Sequence, residues 1–352
     1  MDTRTLAALT LEPQERELVW GGTALAQRYG KRAAPGATIG ESWECFDANR
    51  IVTGTLAGRT LAQARTTLGA RLMGAADAGA AFPLLTKFID ARQALSVQVH
   101  PDDAYARRVE HQPNGKTESW YVLEAEADAS IVLGWNRDTS RGEYLERVRD
   151  GSLGELLRRV AVRPGDAFFL PAGTMHAIGA GIVLFEVQQT SDLTYRIFDY
   201  DRPGPDGKPR ELHVDKAADV LDYRRCRSGA LQTLAYELDG MRRTALVAAP
   251  TFVLERLDPA SERHGVDLEG MPLAVTALYG AVEIESRGEA VRLAAYQTAV
   301  IPAEADVAMV RALDPGAALL AAAPRGDREA LARRFSRAAV PFARSTAFFA
   351  QF

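Results

Sequence analysis

Cysteine is nearly absent from this chain: its 352 residues hold only Cys45 and Cys226, far apart in sequence. That excludes a disulfide framework and a cysteine-rich zinc ribbon, and it suits a reducing compartment. Long apolar runs are missing as well. The longest, such as 316–323, fall well short of the roughly 20 residues a helix needs to cross a bilayer. The N-terminus has no basic stretch leading into an apolar one, so no secretory leader or membrane partner is expected, and the expected location is the cytoplasm. There is no excess of positive charge. Lys+Arg is 42 against Asp+Glu 46, a formal net charge of −4, which argues against nucleic acid as a partner. No P-loop, Gly-x-Gly-x-x-Gly or Gly-x-Ser-x-Gly run occurs; these are the local signatures of nucleotide-dependent and serine-hydrolase chemistry.

What is present is ordinary globular usage, with 47% hydrophobic and 25% charged residues. The pattern is mostly β. Short β-rich runs at 95–100, 119–123, 130–133, 168–170 and 182–188 are separated by Gly, Pro and Asp turns, as in an antiparallel sandwich or barrel. Helical spacing appears at 60–73 and at 141–160, the latter read as a helical insertion. It appears again in a C-terminal helix that Asp327 would cap and that carries Leu331 and Phe335. The stretch 201–209, rich in Pro, Gly and Asp, is a loop. A chain of this length exceeds a single core. Leu170-Pro171-Ala172 returns as Ile301-Pro302-Ala303, with Glu304 and Val307 standing where the first copy has Gly173 and His176. The expected organisation is a catalytic β domain with helical segments over 1–235, a second β domain without the polar centre over 236–325, and a helical tail over 326–352.

Histidine is scarce, 5 in all, so each can be weighed. Gln98 and His100 sit two apart in a strand and therefore share a face. Glu118 and Trp120 share a face in the next. His176 ends the spacing Gly165-x5-Pro171-x-Gly173-x2-His176, which reads as strand, tight turn, and a histidine returned to the sheet. Two imidazoles and a carboxylate suit a divalent metal, zinc by preference, iron or manganese equally by ligand type. Singly, His100 and His176 would be satisfied core histidines and Glu118 a surface charge. His111 reads as a loop residue, His213 as structural, and His264 as solvent-exposed. Glu186 and Gln188 alternate on one face, and Arg196 follows in 195–202. A Glu and an Arg beside a metal suit proton movement at carbon with oxyanion charge developing; the plainer reading is a buried Arg196 pair with Asp192, Asp199 or Asp201. Lys87 and Lys116 are candidates for an anionic substrate group, or ordinary snorkelling lysines.

At these residues the chain resembles the type I phosphomannose isomerases (mannose-6-phosphate isomerases) in their short bacterial form. The blocks are Trp20-Gly21-Gly22, Gly40-Glu41-Ser42-Trp43-Glu44, 95–103, Gly115-Lys116-Thr117-Glu118, 120–123, 171–179, 188–192, 194–196 and 199–202, in family order. The resemblance implies a cupin (jelly-roll) β-sandwich with a second, degenerate cupin-like domain. It implies one zinc ion held by Gln98, His100, Glu118 and His176. It implies Arg196 as the active-site arginine, with Lys116 and Glu186 as polar pocket residues. The expected activity is aldose–ketose isomerisation of mannose 6-phosphate and fructose 6-phosphate through a cis-enediol. Glu186 is the candidate base, and Lys87, Arg202 or Lys116 the phosphate cations. The competing expectations are another metal-dependent cupin enzyme, either an oxygenase or an isomerase of unphosphorylated sugar, and a non-catalytic hexose-phosphate binder. A sugar phosphate is the expected small-molecule partner; monomer and homodimer both stay open.

Overall fold

The structure, a computed structural model, describes residues 6–76, 81–204, 207–324 and 328–352. The fold is mostly β, built from antiparallel sheets of the cupin type. The chain forms two compact units: one takes in 15–42 and 88–231, the other 1–14, 43–87 and 232–352. The second is therefore not a consecutive stretch. Leu9–Leu11 adds as an edge strand to Thr298–Ile301, with Leu9 opposite Val300, a pairing across the whole chain that leaves no local mark in the sequence.

In the unit of 88–231 a five-stranded sheet runs Tyr195–Phe198, Val97–Val99, His176–Ile178, Ser130–Trp135, Leu157–Ala161. A second sheet contributes the strands Ile182–Gln189, Glu118–Ala125 and Ala167–Leu170, side by side in that order. Glu118–Ala125 starts with six consecutive buried residues and Ile182–Gln189 is buried throughout, as central strands covered on both faces must be. Trp120, Val122, Ile131, Phe168 and Leu184 form one core. Val97, Val99, Trp135, Tyr144 and Tyr195 form another.

The stretch 141–160 is helical only in part. Ser140 caps a helix over Arg141–Arg149, a 3-10 turn follows at Leu153–Leu156, and Leu157–Ala161 is a strand. Gly151 turns the chain at φ 78°, and the pairing of Val160 with Ile131 draws the last residues of the stretch into the sheet. The helical reading at 60–73 divides likewise, into Leu61–Leu68 and Ala70–Met73, broken at Gly69 with φ 54°. Thr60 and Gln63 form a reciprocal capping box at its start.

In the other unit a seven-stranded and a four-stranded sheet enclose a core of Leu257, Val275, Ile284, Ile301 and Leu319. The tail forms helices Arg328–Arg337 and Phe342–Phe349, with Leu331, Phe335 and Phe348 buried. Asp327, the expected cap, lies outside the described residues. His264 is a correction: it is 7% exposed, because its strand, His264–Asp267, turns the ring inward, where Nε2 accepts from the Ala260 amide at 3.3 Å.

Candidate metal centre

Register brings the site together. Gln98 lies opposite His176 on one neighbouring strand and opposite Arg196 on the other. In the second sheet Gln188 lies opposite Glu118 and Glu186 opposite Trp120. Directly paired residues share a face, as do residues two apart, so Glu118, Trp120, Glu186 and Gln188 line one surface. His100 follows the end of the Gln98 strand, where Pro101 stops it.

Two turns fix the donors. Gly173 has φ 86°, a conformation open to glycine at little cost, and its amide donates to His100 O at 2.9 Å. The turn thus ties His100 to the strand that begins at His176. Gly115 packs so tightly that an added Cβ would lie 2.2 Å from Pro101 O. That approach lets the Lys116 amide donate to the same carbonyl at 3.0 Å and aims the lysine inward.

Each imidazole is held by its outer nitrogen. His100 Nδ1 bonds Leu193 O at 2.8 Å and His176 Nδ1 bonds Thr174 O at 2.8 Å. A carbonyl only accepts, so both Nδ1 atoms carry the proton and both Nε2 atoms present an unprotonated lone pair. His100 Nε2 lies 3.4 Å from Glu118 Oε2, and His176 Nε2 lies 3.2 Å from Glu118 Oε1. The Gln98 amide is 3.2 Å from His176 Nε2. His100, Glu118 and His176 are each 2% exposed or less, and their donor atoms fall within 4.8 Å of one another.

The electrostatics are those of a cation site. Burial pushes the His100 imidazole down to about 3, helped by the Lys116 charge, and burial also lowers His176. Both rings are therefore neutral at neutral pH. Burial alone would raise the Glu118 carboxyl; Lys116 and the two histidines outweigh it and hold it well below its usual range. Its two buried oxygens accept no hydrogen bond; they face the imidazoles and the Lys116 ammonium, 2.9 Å from Oε2. A carboxylate this buried needs positive charge, and the two Nε2 lone pairs beside it, which face the Lys116 ammonium and the Gln98 side-chain amide, are donors of the type a metal takes. The residues present fit a divalent cation.

Around this centre, Glu186 Oε2 accepts the Trp120 indole N–H at 2.8 Å. Lys116 Nζ is 3.1 Å from His100 Nε2. Arg196 donates to Glu211 O at 3.1 Å, but its buried Nε meets no acceptor, and burial lowers its pKa. The plainer reading of Arg196 as half of a carboxylate pair is not what forms: Asp199 is held by Arg202 and Arg210. Arg202 also donates to Ala94 O at 2.6 Å. Lys87 lies, 6% exposed, in the part of its strand that belongs to the other unit. Sequence reasoning missed the carbonyls of Leu193 and Thr174, since every residue carries one. The structural reading of His213 fits: its Nδ1 accepts from the Arg196 amide at 3.3 Å.

Among relatives, the family "Phosphomannose isomerase type I, catalytic domain" matches residues 8–127. The probable mannose-6-phosphate isomerase GmuF of Bacillus subtilis is 42% identical over 217 residues, 60% of this chain and 68% of the relative. The chain belongs to the type I mannose-6-phosphate isomerase family. Mannose-6-phosphate isomerase ManA of the same organism is 44% identical over 223 residues, 62% of this chain and 69% of the relative. The crystal structure of the B. subtilis mannose 6-phosphate isomerase superposes with a TM-score of 0.82 at 29% identity, covering 90% of this chain and 99% of that one. The chain is thus an isomerase of this family. Among the described residues no helix is long and apolar enough to cross a membrane.

Proposed function

We propose that the protein interconverts mannose 6-phosphate and fructose 6-phosphate by moving one proton between C1 and C2 of the open-chain sugar through a cis-enediol. We assign zinc to the site, held by Gln98, His100, Glu118 and His176. The observation that supports this reading most directly is the buried meeting of two proton-free Nε2 atoms with the Glu118 carboxylate. A bound zinc in such a set supplies Lewis acidity toward a substrate oxygen.

The chain's own residues carry the remaining roles. Glu186, oriented by the Trp120 indole, takes the proton from one carbon and returns it to its neighbour. Lys116 donates to a sugar oxygen as charge builds there. Arg196, with a guanidinium N–H left free, steadies the enediolate. Arg202 meets the phosphate by releasing a donor from Asp199, which Arg210 still holds through two bonds of 2.6 Å. The hydrogen stays within the sugar, so no redox cofactor is needed.

A coupled assay on metal-replete protein tests this, offering mannose 6-phosphate beside mannose. Turnover of the phosphate ester that stops on chelation and returns with zinc is expected. Turnover of mannose alone would overturn the substrate, and oxygen consumption by an iron-loaded form would overturn the reaction.

A further inference from the structure

The C-terminal unit repeats the register of the metal centre without its ligands. In the first unit Glu118 lies opposite Leu170, and in the second Leu273 lies opposite Ile301, the same step of the Leu-Pro-Ala and Ile-Pro-Ala repeat. His176 pairs with Gln98, and Val307 pairs with Asp267. Gln98, His100, Glu118 and His176 thus correspond to Asp267, Glu269, Leu273 and Val307. Asp267, Glu269 and Leu273 line a cavity of about 50 Å³. Two of the four donors have become aliphatic, so no metal set remains.

The cavity wall now carries two arginines, Arg243 and Arg334, beside three carboxylates, Glu255, Asp267 and Glu269. Arg334, from the tail helix, reaches Glu255 at 3.2 Å and Glu269 at 3.3 Å. Glu255 also accepts the Tyr236 hydroxyl, and Glu269 also pairs with Arg333 at 2.8 Å. Glu255 and Glu269 therefore have their own cations, and the third wall carboxylate, Asp267, accepts the Glu269 amide at 2.8 Å. Arg243 does not have its anion. It is 2% exposed and gives Nη2 to Gly265 O at 2.8 Å, while its buried Nε meets no acceptor. Among the described residues no carboxylate lies within ion-pair reach of it. A buried guanidinium with an idle N–H beside a cavity calls for an anion.

We infer that the C-terminal unit binds a small tetrahedral oxyanion, of the phosphate or sulfate class, in this cavity through Arg243. Size agrees with the chemistry. A space of about 50 Å³ exceeds the roughly 10–15 Å³ that a single water needs and suits a compact oxyanion. The site has the position of the first unit's metal centre and the opposite charge preference.

Crystals of the full-length protein soaked in selenate test the inference directly, because the selenium scatters anomalously. A peak within hydrogen-bond distance of Arg243 Nε is expected, and it should be absent from Arg243→Met crystals. In solution, inorganic phosphate at constant ionic strength should raise the Tm of the wild type saturably, and that rise should be smaller in Arg243→Met. No selenium peak in this cavity of the wild type, or equal phosphate shifts in the two proteins, would overturn the inference. If Arg243→Met does not fold, Arg243→Lys takes its place, with the charge kept and the Nε donor lost, and a weaker phosphate response is expected.

Discussion

Arg196 and Glu186 are the residues whose roles geometry makes separable from metal binding. Neither belongs to the donor set of His100, Glu118 and His176. Arg196→Ala should leave bound zinc unchanged by elemental analysis and lower kcat by about 10²–10³-fold, the usual loss for one oxyanion donor. Unchanged kcat would remove the arginine from the reaction. Glu186→Gln keeps an oxygen for the Trp120 N–H while removing the proposed base. Its kcat should fall by about 10²–10⁴-fold with KM little altered. A KM effect alone would assign Glu186 to binding instead. His100 and His176 differ in kind: their side chains are fixed by backbone carbonyls, so His176→Asn should lose metal and turnover together.

At the scale of elements, the turn at Gly115 and the loop after the Arg196 strand position the site. A methyl group at Gly115 would meet Pro101 O at 2.2 Å and Asp102 C at 2.4 Å, backbone atoms that cannot step aside. Gly115→Ala should therefore displace Lys116 and weaken metal affinity by about 10–100-fold, as loss of outer-shell support does. Gly154→Ala, where nothing lies within 4 Å of the added carbon, should change neither. The loop is tied by Asp199. Burial opposes its ionisation, but hydrogen bonds from Arg210 and Arg202 prevail and hold its carboxyl below the ordinary value of 3.8. A depressed acid stabilises the folded state above its unfolded pKa and loses that contribution as pH falls through the folded value. Wild type should accordingly be more stable than Asp199→Asn at pH 6, with the gap narrowing below pH 3.8. Urea midpoints across that range measure it; a gap that widens in acid would contradict the assignment.

For the whole molecule, a metal that binds only the folded chain stabilises it by mass action, about 2.7 kcal/mol at a hundredfold excess over Kd. Saturating zinc should raise the Tm of chelator-stripped protein, and His176→Asn should not respond. An equal rise in both would place the ion elsewhere.

The sequence by itself marked several of the strands and the donor types of the candidate centre. Period-two alternation at 95–100 and 182–188 and the spacing from Gly165 to His176 are local, so the pattern carries them without knowledge of the fold. The residue types at 100, 118 and 176 already suited a divalent metal. Tertiary structure decided the rest, because its determinants join residues distant in sequence. The division into units depends on Leu9–Leu11 pairing with Thr298–Ile301. The strand at Leu157–Ala161 depends on pairing with Ser130–Trp135. The protonation of the imidazoles depends on the carbonyls of Leu193 and Thr174. A carbonyl is the same group at every position, so only the folded path of the chain selects which one a histidine meets.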